Sequence, residues 1–205
     1  MTMICSMDKI LIFIVIVLVV VAGTLFISNM SQKSPQNQTA STSPSAGPTN
    51  AATPTLLPTV PADQIPTETQ AIIKTTQGDI TLELFPKDAP RTVKNFVEKA
   101  KSGYYKNLTF HRVEDWVIQG GDPKGDGTGG GNMPTELNDK SFKTGALGVA
   151  RGQDIAVSND SQFFIVKSDA NWLDKQYTNF GQVTEGMEVV KKIQIGDKIL
   201  DITVQ

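Results

Sequence analysis

Seven of the chain's eleven prolines fall between Ser31 and Thr69: Pro35, Pro44, Pro48, Pro54, Pro58, Pro61 and Pro66. The residues between them are chiefly Ser, Thr, Asn, Gln and Ala. Such a stretch buries too little apolar surface to offset the entropy lost on ordering, and each proline removes a backbone donor. It reads as a semi-extended, disordered tether, so any packed domain has to be built after it. Ahead of it, Ile10 to Ile27 is an apolar run of 18 residues interrupted only by Gly23 and Thr24. As a helix this run rises about 27 Å, close to the hydrocarbon thickness of a bilayer. It exceeds the usual core of a signal peptide, and Val21-Ala22-Gly23 is a weak cleavage site, so an uncleaved anchor is favoured. The short flank before the run suggests that the bulk of the chain lies outside the cytoplasm, although single lysines at either end, Lys9 and Lys33, give a weak charge signal. The expected divisions are a flank at 1–9, a transmembrane anchor or uncleaved signal at 10–27, a Ser/Thr/Pro-rich linker at 28–69, and a globular domain at 70–205.

Net charge and unusual residues exclude several functions. The chain carries a net charge of −2 with acids and bases interspersed, which gives no footprint for nucleic acid. One cysteine, Cys5, allows no internal disulfide and no cysteine-based zinc site. One histidine, His111, rules out a multi-histidine metal site and leaves little room for a Ser-His-Asp triad. No cofactor is implied.

From Gln70 onward the patterning changes. Ala71–Thr75 and Asp79–Leu84 flank Thr76-Gln77-Gly78 and predict a β-hairpin. Asp88 is placed to cap a helix with Pro90 in its first turn; Val93, Phe96, Val97 and Ala100 follow at helical spacing and Gly103 ends it. Strands are expected at Leu108–Arg112, Trp116–Gln119, Leu147–Ala150 and Phe163–Val166. A second helix is expected over Glu185–Ile195, and a last strand over Ile199–Val204. Many short strands with two helices argue for a mainly β fold, a closed or nearly closed antiparallel barrel.

The chemistry lies in two segments. Phe110-His111-Arg112 leads to Gln119-Gly120-Gly121-Asp122, and Ser161-Gln162-Phe163-Phe164-Ile165 follows some forty residues later. Each sets strong hydrogen-bonding groups (Arg112, Gln119, Gln162) among large apolar ones (Phe110, Trp116, Phe164). An arginine is rarely buried without a partner. An apolar floor with one fixed cation and two amides suits a greasy ligand that carries carbonyls, such as a peptide.

Together with Gly127-Thr128-Gly129-Gly130, Trp172-Leu173-Asp174 and Phe180-Gly181, these segments make residues 70–205 resemble a cyclophilin, a peptidyl-prolyl cis-trans isomerase. The motifs occur in the family's order and at near-family spacing. The resemblance implies a closed eight-stranded antiparallel barrel with two capping helices, no cofactor, a monomer, and a surface groove for Xaa-Pro bonds of peptides and unfolded clients. It implies that Arg112 is catalytic, donating to the twisting prolyl amide. Trp116, Val117, Phe164 and Leu173 would line the proline pocket, and Gln119 and Gln162 would hold the substrate backbone. Ala150 would pair with the peptide main chain, with Arg151 beside it where asparagine is common. Gly127 belongs to the glycine loop that borders the pocket for the preceding residues. Trp172 would form the groove's edge, which in the family also contacts cyclosporin. Tyr177 stands where many members carry histidine and implies altered affinity for cyclosporin-type inhibitors.

Three departures stand out. Trp116 replaces the usual phenylalanine, the Arg112–Gln119 connection is one residue shorter than in the commonest form, and Lys175 stands where glycine is frequent. For single residues the competing readings are a surface ion pair of Arg112 with Glu114 or Asp115, and plain core packing of the aromatics. His111 is expected to pack structurally. The function expected is an anchored, extracytoplasmic isomerase that assists protein folding; the alternative is a non-catalytic peptide-binding or chaperone module, which loss of Arg112 or Phe164 would have favoured.

Overall fold

The computed structural model describes residues 66–205. The expected anchor and nearly all of the linker lie outside the described residues. Among those described, no helix is long and apolar enough to cross a membrane.

Nine strands form one antiparallel sheet: β1 (Gln70–Thr75), β2 (Gly78–Leu84), β3 (Arg112–Val113), β4 (Val117–Gly120), β5 (Asn132–Pro134), β6 (Ala146–Arg151), β7 (Val157–Val166), β8 (Asn179–Glu185) and β9 (Ile199–Val204). Their order across the sheet is β3-β4-β7-β6-β8-β2-β1-β9, with β5 added to β7. The hairpin β1–β2 forms because both strands alternate. Ile73 faces Ile80 and Ala71 faces Leu82 across the ladder, all four buried on one side. The sheet curls into a half-barrel around these side chains.

The expectation of eight strands closed into a barrel needs correction on two points. The described residues form nine strands, the additional one being the short β5, which has only three residues and no alternation that a sequence could show. The end strands also do not join in a continuous ladder. They meet at an isolated bridge, Thr109–Lys198, supported by backbone bonds between Ile199 and Leu108 (2.8 Å) and between Phe110 and Asp197 (2.9 Å).

Helix α1 (Pro90–Lys101) buries Val93, Phe96, Val97 and Ala100 against the sheet. Phe96 lies edge-on to Phe163 and Phe180, with ring centroids 5.8 and 5.4 Å apart, and these rings with Tyr105 fill the barrel interior. Asp88 does not cap this helix. Its first N–H groups are taken by a distant carboxylate: Glu136 accepts from Arg91 N at 3.1 Å and from Thr92 N at 2.8 Å. Helix α2 (Met187–Lys192) is shorter than expected at both ends: Gly186, at φ 89°, turns the chain just before it, and Ile193 leaves helical geometry at ψ 134°.

Candidate active site

Alternation along the strands builds the site on the outer wall. In β7, Phe163 and Ile165 point into the main core, while Phe164 and Val166 join a second apolar cluster with Val117, Phe142, Ala146, Ala170 and Leu173. The register then lines up one transverse row. Arg112 pairs with Gln119, Gln119 with Phe164, and Phe164 with Gly148. Directly paired residues share a face, so cation, amide, aromatic floor and a side-chain-free position stand side by side across β3, β4, β7 and β6.

Above this row lies a cavity of about 440 Å³ lined by Arg112, Trp116, Val117, Gln119, Ala150, Arg151, Phe164, Trp172, Leu173, Gln176 and Tyr177. Ten of the residues expected at the site thus border one space. The other two, Gly127 and Gln162, border an adjoining cavity of about 310 Å³ that shares Gln119, Ala150 and Arg151 with the first. Gln176 was not expected, since nothing but its place beside Tyr177 marks it. Residues 152–154 of the second cavity were missed because their loop carries neither alternation nor a motif.

The floor is Phe164, stacked on Phe142 (5.6 Å) and met edge-on by Tyr177 (5.8 Å). One wall is Trp116, whose ring meets Trp172 at 5.5 Å. Trp172 sits on a short 3-10 turn (Asn171–Leu173) and is 62% exposed, a large apolar surface at the rim. That turn is fastened by Asp174, which accepts from Ser141 Oγ (2.9 Å) and from the backbone N–H of Phe142 (2.7 Å). Lys175, which follows, has φ 57°, in the left-handed region where a glycine sits without strain. A lysine here, where the family frequently has glycine, therefore carries a backbone cost.

Polar groups form a relay. Arg112 Nη1 donates to Gln119 Oε1 (3.1 Å), Gln119 Nε2 donates to Gln162 Oε1 (2.9 Å), and Gln162 Nε2 donates to the carbonyls of Gly127 (3.0 Å) and Gly129 (2.8 Å). Gln162 is buried, and its amide is fully committed, the oxygen to Gln119 and the nitrogen to the glycine loop. The same loop is gathered from below by Asp122, which accepts from the N–H groups of Lys124, Asp126 and Gly127. Burial pushes the Asp122 carboxyl up, but these three donors and His111 outweigh it and hold its pKa below the ordinary value. His111 lines neither cavity. Its ring nitrogens are buried with no partner among the described residues, and burial lowers its pKa, favouring the neutral ring.

The surface ion pair weighed for Arg112 exists. Its partner is Glu114, at 2.7 Å from Nε, and not Asp115. The pair does not remove Arg112 from the cavity, which it still lines. Arg151 Nε donates to Gln176 O (2.8 Å), and its guanidinium lies 4.4 Å from the Tyr177 ring centre. In β6, a register shift between Val149 and Arg151 leaves Ala150 as the one residue of the strand without a partner in either ladder. A bulge of this kind beside a cleft presents backbone groups to a ligand. Among the described residues, no group of three or more His, Cys, Asp or Glu side chains is placed to hold a metal ion.

The arrangement is an apolar slot with one fixed cation and a strip of backbone for pairing, suited to proline in an extended peptide. Comparison with known proteins agrees. Residues 70–204 match the profile of the family described as cyclophilin type peptidyl-prolyl cis-trans isomerase/CLD. A peptidyl-prolyl cis-trans isomerase of Dictyostelium discoideum is 44% identical over 133 residues, covering 62% of this chain and 85% of that one. One from Synechococcus elongatus is 42% identical over 142 residues, covering 66% and 96%. The crystal structure of a Cryptosporidium parvum cyclophilin-type isomerase, obtained in the presence of the dipeptide Ala-Pro, superposes with a TM-score of 0.62 at 32% identity, over 66% of this chain and 98% of that one. The chain belongs to the cyclophilin-type peptidyl-prolyl cis-trans isomerase family, and it is an enzyme of that class.

Proposed function

We propose that the chain isomerises Xaa-Pro bonds in extended peptide segments lying across the outer wall of β3, β4, β7 and β6. The prolyl ring enters the slot over Phe164, and the preceding residues pair with the free backbone at Ala150 and extend toward the second cavity. The observation that carries this reading is the row Arg112–Gln119–Phe164, which puts a held guanidinium at the edge of the apolar floor.

Rotation about the amide faces a barrier of about 18–20 kcal/mol because resonance stiffens the C–N bond. Nothing covalent has to break, so the site needs only to favour the twisted amide over both planar forms. As the bond twists, the proline nitrogen becomes pyramidal and the lone pair it had shared with the carbonyl localises on it. Arg112 donates to that nitrogen and draws it out of resonance, while the apolar walls keep competing water away. Gln119 and the Gln162 relay fix the direction in which the guanidinium points.

Full-length protein is expected to accelerate isomerisation of an Ala-Pro tetrapeptide. Arg112→Ala should lower kcat/KM by about 10²–10³-fold, the range for loss of one aligned donor, while peptide binding by calorimetry persists. Equal rates for wild type and variant would remove Arg112 from the mechanism.

The cellular role follows from the residues before the domain. The apolar run 10–27 anchors the enzyme in a membrane, the linker 28–69 spaces the domain from it, and proteins folding outside the cytoplasm are the clients. Support comes from sequence: the length of the run and the proline-rich composition behind it. In cell fractions the protein should resist alkaline extraction, and added protease should reach the domain from the extracytoplasmic side; release by alkali or protection from protease would refute the arrangement.

A further inference from the structure

We propose that Glu114 is a positioning residue for Arg112, and that Glu114 and Trp116 form one device in this chain. The proposal rests on the catalytic reading of Arg112 given above and concerns what aims that side chain.

Glu114 and Arg112 are two residues apart where β3 runs into its turn, so extended backbone sets both on one face. The turn is fixed locally, since Glu114 N donates to Val117 O at 2.9 Å. Both oxygens of the carboxylate are then used. Oε1 accepts from Arg112 Nε at 2.7 Å and Oε2 accepts from Trp116 Nε1 at 2.8 Å. On its other edge the guanidinium donates through Nη1 to Gln119, and its centre lies 5.4 Å from the Trp116 ring. Arg112 is thus held from three sides: an anion behind it, an amide beside it, an indole against it. Its remaining N–H groups have no partner among the described residues, and the side chain borders the cavity.

An ion pair between two side chains that are 42% and 46% exposed does little for folding. Its value lies in orientation. A long, half-exposed arginine samples many rotamers, and only some direct its donors at a prolyl nitrogen; pinning Nε removes most of the others before substrate arrives. The second oxygen explains the tryptophan. A phenylalanine at 116 has no N–H and would leave Oε2 unused, whereas the indole takes it and is itself fixed as the pocket wall. Glu114 and Trp116 therefore act as one unit, the carboxylate holding both the guanidinium and the indole.

The test uses full-length wild-type protein, Glu114→Ala, Glu114→Asp and Glu114→Gln, with an Ala-Pro tetrapeptide and side-chain NMR of the Arg112 Nε–H group. Glu114→Ala should lower kcat about tenfold with KM changed less than about twofold, since a displaced catalytic group loses rate more than binding. Glu114→Asp, too short to bridge both donors, and Glu114→Gln, which offers one acceptor, should fall between. Thermal unfolding should be unchanged in all three. The wild-type Nε–H resonance should be sharp and protected from exchange, and that protection should vanish in Glu114→Ala. In a Trp116→Phe background the Glu114→Ala effect should shrink. Wild-type kcat together with an unchanged Nε–H resonance in Glu114→Ala would reduce the pair to a surface contact and overturn the proposal. If wild-type protein showed no acceleration, the catalytic reading would fail, while the resonance would still report whether Glu114 holds Arg112.

Discussion

Gly148 shows how one residue sets the depth of the pocket. It lies in β6 opposite Phe164, and a methyl group built there would stand 2.6 Å from Phe142 Cε1 and 2.7 Å from Phe164 Cε2. Phe142 has no room to retreat, because it is fully buried and stacked on Phe164, so the Phe164 ring has to give toward the cavity it borders. Gly148→Ala should therefore tilt the floor and overpack the second cluster, lowering stability by about 1–3 kcal/mol. Chemical denaturation and the Ala-Pro assay together check this; activity should fall further than the lost stability explains. A folded, fully active variant would show that the floor has slack. Gly148 bears no mark in the sequence. Arg112, Gln119, Gln162 and Phe164 were legible because their residue types clash with their apolar neighbours and their spacing matches a family. Gln176, the contact between Glu114 and Trp116, and the empty position at Gly148 depend on loops and registers that sequence spacing does not encode.

At the scale of elements, distant residues finish what local propensity begins. Pro90, the spacing of Val93, Phe96, Val97 and Ala100, and Gly103 mark α1 in the sequence, and the helix runs over Pro90–Lys101. Its N-terminal donors are satisfied by Glu136, more than forty residues on, and not by the adjacent Asp88. Glu136→Ala should cost about 0.5–2 kcal/mol, as loss of a cap does, whereas Asp88→Ala, with only a long contact to Lys140 at 3.5 Å, should cost little. Comparing the two urea midpoints checks the assignment; equal losses would contradict it. Strands β1 and β2 were legible because they alternate, whereas β9 buries Ile199 and Ile202, three residues apart across a register shift, and was marked by its apolar and β-branched residues. In β7, which is buried along both faces from Ser161 to Val166, alternation gives way to a continuous buried run, so only its last four residues were visible. In β8, Gly181 interrupts the pattern because Glu83 O lies where a side chain would start.

For the whole molecule, acid response should come in two stages. Burial lowers the pKa of His111, so the unfolded chain binds its proton more readily; that contribution is complete above 6.5 and declines as pH falls below it. The carboxyl of Asp122, and that of Asp197, which accepts from Gln194 N, Thr76 and Gln77, are held below 3.8, so their contribution is lost only as pH drops under that value. Urea midpoints measured from pH 8 to 3 should decline gently through the histidine range and steeply in the carboxylate range. Asp122→Asn should flatten the second decline, and an unchanged profile in that variant would exclude the glycine loop as the acid-sensitive part. By itself the sequence determined where a domain could form and that it is mainly β with two helices, since these follow from composition and periodicity, and its motifs pointed, through resemblance to a family, to the cation, amides and aromatics to look for. Only the tertiary structure decided that the sheet ends meet at a single bridge, that Glu136 caps α1, and that Arg112, Gln119, Phe164 and Gly148 fall in one row, because register and long-range contact are settled by packing between segments distant in the chain.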